Sequence, residues 1–87
     1  MNWFKSSSNQ KDLLQVAEEF GKKDIDYGLL FWHPETKSVH WIMGDAADYS
    51  SDEIEDAFYR CKNIKKVTIA DEYYPLRNKG WKQIYPK

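Results

Sequence analysis

The stretch of residues 25–44 constrains the fold most. Two apolar runs, residues 25–33 and 38–44, flank the polar segment Pro34-Glu35-Thr36-Lys37. Proline pre-sets the backbone for the first corner of a turn, and the three residues after it are at ease in water. The flanking runs are rich in β-branched, aromatic and aliphatic residues, which suit a pleated surface. The pattern predicts a β-hairpin.

Alternate residues of a strand share a face, so loop length decides which side chains meet. An odd loop places Ile25, Tyr27, Leu29, Phe31, Val39, Trp41 and Met43 on one wholly apolar face. The other face then holds Asp26, Leu30, Trp32, Ser38, His40 and Ile42. An even loop mixes both faces. Burying a large apolar side chain contributes roughly 1.5–3 kcal/mol, which favours the clean separation. The odd loop is therefore the expected register. It leaves Leu30, Trp32, His40 and Ile42 as an apolar patch with a polar rim, the composition of an interface.

The flanking segments read as helices. Leu13, Val16, Ala17 and Phe20 recur at helical spacing, and Leu14 widens the stripe, so residues 10–22 are expected to be helical. Ser7 with Gln10, or Asn9 with Asp12, would cap that helix, and Gly21 followed by Lys22-Lys23 would end it. A second helix is expected over residues 52–62, with Ile54, Ala57, Phe58 and Cys61 on one face. Ser50 and Glu53 form its capping box. Lys62-Asn63 closes it. Residues 65–70 read as a strand with Val67 and Ile69 inward, and residues 81–85 as one more short strand.

The order is (β)αββαβ with a C-terminal extension over residues 71–87, all within one domain of 87 residues. This is an α+β two-layer sandwich with both helices on one sheet face. If Trp3-Phe4 is a strand, the arrangement is ferredoxin-like. The expected core is Leu13, Phe20, Leu29, Phe31, Trp41, Ile54, Phe58 and Val67.

Charge is unevenly spread. Residues 1–59 hold five lysines against twelve carboxylates, and residues 60–87 hold eight cations against Asp71 and Glu72, for a net charge of -1. The two halves either attract each other within the fold or mark a polar partner surface. The single cysteine, Cys61, allows no internal disulfide. The first residues carry no apolar run long enough for a secretory signal, and no stretch could span a bilayer. A cytoplasmic protein with no membrane partner is expected.

Catalytic and cofactor signatures are weak. In the odd register His33 and His40 fall on opposite faces, so no metal site is expected. Cys61 lies on the apolar stripe of the second helix, where a free cysteine behaves as a small hydrophobe. The glycines are isolated, so no phosphate loop forms. No cofactor and no enzymatic activity are expected. Asp45, Asp48, Asp52, Glu53, Glu55 and Asp56 form a dense acidic segment suited to a basic partner.

The function expected is a protein-binding module of inhibitor, immunity or adaptor type. Its partner site would join Leu30, Trp32, His40 and Ile42 to Asp48, Asp52, Glu55 and Asp56, and a homodimer is a further option. The alternative is single-stranded nucleic-acid binding. Sheet aromatics such as Trp32 and His40 would stack bases, and the tail with Arg77, Lys79, Trp81 and Lys82 would hold the phosphates. Against that alternative, the tail would fold back, with Trp81 and Tyr85 packed on the domain and its cations near Asp52, Glu55 or Asp56.

Overall fold

A computed structural model describes residues 5–25, 27–71 and 79–86, with side chains described from Gln10 onward. The elements are α1 (Lys5–Gly21), β1 (Leu29–His33), β2 (Ser38–Ile42), α2 (Ser51–Tyr59), β3 (Lys66–Ala70) and β4 (Lys82–Tyr85). The four strands form one mixed sheet in the order β3-β2-β1-β4. Both β2 and β4 pair with β1 antiparallel, and β3 pairs with β2 in parallel.

The ferredoxin-like order requires a first strand between β2 and β3. Here β2 and β3 pair directly, from Ser38↔Lys66 to Ile42↔Ala70, and that slot is closed. The α+β class holds and the ferredoxin-like arrangement does not. Trp3-Phe4 lies outside the described residues.

The hairpin register is a second correction. Leu30 pairs with Trp41, and His33 with Ser38, so the loop is the four residues 34–37. Lys37 closes it in the left-handed region, at φ 56°. One face therefore carries Leu30, Trp32, Val39 and Trp41. The other carries Leu29, Phe31, His33, Ser38, His40 and Ile42. An odd loop is the better register only where a single face is buried. In the fold both are: Leu30 and Trp41 on one side and Phe31 and Ile42 on the other are fully buried. With both faces covered, alternation no longer selects the register.

The main core lies between the helices and the first face. Leu13, Ala17 and Phe20 of α1 and Ile54 and Phe58 of α2 join Leu30, Trp32, Val39, Trp41, Tyr49 and Val67 in one cluster. Both helices thus rest on the same side of the sheet. Leu29 and Phe31, expected in this core, stand with Ile42, Ala70 and Trp81 in a smaller cluster on the opposite face.

Helix α1 begins at Lys5, more than a turn before the expected start at residue 10. Its serines cost only tenths of a kcal/mol each as helix residues, too little to force a boundary at Ser7 or Asn9. Helix α2 starts where expected. Glu53 N–H donates to Ser50 Oγ at 3.1 Å, and Ser50 N–H donates to Glu53 Oε1 at 2.9 Å. It ends at Tyr59, before the expected residue 62. Asn63 then takes the left-handed conformation, at φ 62°.

The C-terminal segment closes the sheet. Between Leu30↔Tyr85 and Phe31↔Gln83 the pairing shifts by one residue, a β-bulge at Ile84. The bulge lets both Ile84 and Tyr85 pack on the main core, which strict alternation would forbid. Tyr85 stacks on Trp41 with ring centroids 6.2 Å apart.

Candidate functional site

The four apolar residues of the expected partner site do not form a surface. Leu30 and Trp32 point into the helix-covered core, while His40 and Ile42 point to the other face, and all four are buried. Trp81 stands edge-to-face against both His33 and His40, with centroids 5.3 and 5.9 Å away. The rings of Trp32 and His40 are therefore not open to a stacking base. Burial alone lowers the His40 pKa below its ordinary value.

The tail aromatics dock as the folded-back reading expects. His33 holds the turn that leads into β4. Thr36 N–H donates to Nδ1 at 3.3 Å, so the proton sits on Nε2, which donates to the Lys79 carbonyl at 3.1 Å. Gly80, at φ +89°, lies so close that a Cβ would approach His33 Nε2 to 2.8 Å. The tail cations do not follow the expectation. Lys79 and Lys82 are exposed at the β4 side, and among the described residues no ion pair links them to Asp52, Glu55 or Asp56. Asp56 pairs with Arg60 one helical turn on. Arg77 lies outside the described residues.

The acidic segment stays on the surface. Asp45, Asp48, Asp52 and Asp56 are exposed and Glu55 is half-buried. The capping bonds from Ser50 hold the Glu53 carboxyl below its usual range. Between α1 and α2 runs an open groove of about 480 Å³. Asp12, Glu19, Glu53 and Asp56 line it with Arg60, over the apolar side chains of Val16, Phe20 and Ala57. Of these carboxylates, Asp56 pairs with Arg60 and Glu53 accepts from the Ser50 N–H. Asp12 and Glu19 do not read as part of the acidic segment in the sequence, because they sit on α1, well before its first carboxylate, Asp45. Their helical offset from Val16 and Phe20 was the available signal.

Cys61 also lines this groove, half-buried. Burial pushes its thiol up, and the nearby Asp12 charge adds to that. The neutral Sγ–H donates to the Ala57 carbonyl at 3.7 Å. A thiol held protonated is a poor nucleophile.

A buried polar network escaped the sequence reading entirely. Trp41 Nε1–H donates to the Tyr49 hydroxyl at 2.9 Å, and that hydroxyl donates to Asp24 Oδ2 at 2.6 Å. Gly44 N–H and Tyr27 N–H, each at 3.0 Å, complete the shell around the Asp24 carboxylate. Burial first, and then the Asp24 bond, raise the Tyr49 pKa. The network ties the end of α1 to the end of β2 and to the loop before α2. Ile25 and Tyr27, expected on the buried strand face, are instead exposed beside it, because β1 begins only at Leu29.

Among the described residues no three His, Cys, Asp or Glu side chains stand close enough to hold a metal ion, and no helix is long and apolar enough to cross a membrane. Comparison with protein-family models, with curated proteins and with solved structures found no match.

Proposed function

We propose that this chain is a protein-binding module that seats a basic segment of its partner in the groove between α1 and α2. The supporting observation is the groove itself: an apolar floor flanked by Asp12, Glu19, Glu53 and Asp56, with Arg60 as the opposing cation. Carboxylates at a rim steer a basic partner and reject acidic ones, while the floor supplies the contact area. Asp52 and Glu55 extend the acidic surface along α2, and Asp48 lies just before it. The earlier hairpin patch drops out of the site, because its residues are buried.

The test is affinity capture with nuclease treatment, run beside the variant Asp12→Asn/Glu19→Gln/Asp56→Asn. A protein that survives nuclease and is lost with the variant supports the reading. Capture that nuclease abolishes, or that the variant leaves intact, overturns it.

A further inference from the structure

The two edges of the sheet are built differently. The outer edge of β4 is broken by the bulge at Ile84 and ends at Pro86, which has no N–H to offer. Such devices blunt an edge against strand addition. The outer edge of β3 has neither. The Ala70 carbonyl accepts from Met43 N–H at 2.8 Å, on the β2 side. Backbone groups alternate in direction along a strand, so those of Val67 and Ile69 point outward. Val67 N–H confirms this, since it donates to the Tyr59 hydroxyl at 3.1 Å. Among the described residues that hydroxyl is the one hydrogen-bond partner on this edge, and the Tyr59 ring is 46 % exposed.

The sequence of this edge is complementary to itself. Lys65-Lys66-Val67-Thr68-Ile69-Ala70-Asp71, laid antiparallel to a second copy with Thr68 on the two-fold axis, sets Val67 against Ile69 and Lys65 against Asp71. Val67 and Ile69 are the outward residues, so they fall where an antiparallel pair exchanges both hydrogen bonds. Thr68 meets its counterpart at the intervening close pair, which threonine favours. Lys65 and Asp71 are both exposed, and the symmetry makes their ion pair twice.

We propose that β3 pairs antiparallel with β3 of a second copy, joining two four-stranded sheets into one, with Tyr59 as the group that must yield the Val67 N–H. A five-residue edge buries little area, so the dimer is weak and forms with rising concentration.

Sedimentation velocity over about a hundredfold range of concentration tests this. The expected result is a monomer–dimer equilibrium. Lys65→Asp and Asp71→Lys each place like charges across the axis and should weaken dimerisation about tenfold, and the double swap should restore it. Tyr59→Phe leaves Val67 N–H to the second copy and should tighten the dimer. Amide exchange of the unaltered chain gives an independent readout: Val67 and Ile69 should gain protection as concentration rises. A monomer at every concentration, as when this edge instead receives an extended segment of another protein, overturns the proposal. So does a dimer in which the swaps have no effect or the double swap fails to restore pairing.

Discussion

Single atoms decide several contacts in this molecule. Tyr49 is the clearest, since its hydroxyl accepts from Trp41 and donates to the buried Asp24. Tyr49→Phe keeps the ring that packs edge-to-face on Phe20, 5.1 Å away, and removes only that link. The loss should be about 1–3 kcal/mol, the cost of leaving buried polar groups short of a partner. A urea titration measures it, and a loss below about 0.5 kcal/mol would show that the network carries no stability. Gly21 is a second case. It reads as a helix stop in the sequence, yet a Cβ there would strike the Tyr85 ring, with Cζ at 2.8 Å. Gly21→Ala should therefore destabilise by about 1–3 kcal/mol, the usual range for overpacking, although alanine is the better helix former. A stabilised variant would mean that Tyr85 does not seat on α1.

At the level of elements, β4 carries most of what the C-terminal segment does. Ile84 and Tyr85 pack on the main core and Trp81 on the smaller cluster. Deleting residues 79–87 uncovers one side of β1 and removes those three side chains. The expected cost is at least about 3 kcal/mol, taken from partial burial of three large side chains. Thermal unfolding reads it directly, and an unchanged melting temperature would show β4 to be dispensable. The capping box of α2 and the apolar spacing of both helices were legible because they are local: each rests on residues three or four apart. The start of α1 was not, because a run of serines marks a boundary only weakly.

For the whole molecule, stability should peak near neutral to mildly alkaline pH. Folded His40 resists protonation relative to its ordinary value of 6.5. The unfolded chain therefore binds more protons as pH falls through that value, and stability falls with it. Glu53 acts with the same sign further down, below its ordinary 4.5. At the other end Cys61 and Tyr49 are held above 9.0 and 10.0, so ionisation favours the unfolded chain as pH rises through those values. The melting temperature should form a plateau between about pH 7 and 9 and decline on both sides. His40→Gln should flatten the limb between about pH 7 and 5. Superimposable limbs for the two proteins would assign the acid sensitivity to other groups.

The α+β class, both helices, the hairpin and the two later strands follow from the sequence alone, because periodicity and capping are short-range properties. The acidic segment is likewise read from neighbours along the chain. Strand order, hairpin register and the makeup of the groove required the tertiary structure. Each depends on what covers a face, and the covering groups come from distant residues. Trp81 lies over the face that holds His40, so a register chosen for one buried face gave way to one that serves two. Asp12 and Glu19 meet Glu53 and Asp56 only because α1 and α2 lie side by side on the same sheet. The direct pairing of β2 with β3 is also non-local, and it is what separates this sheet from the ferredoxin-like order that the same sequence of elements permits.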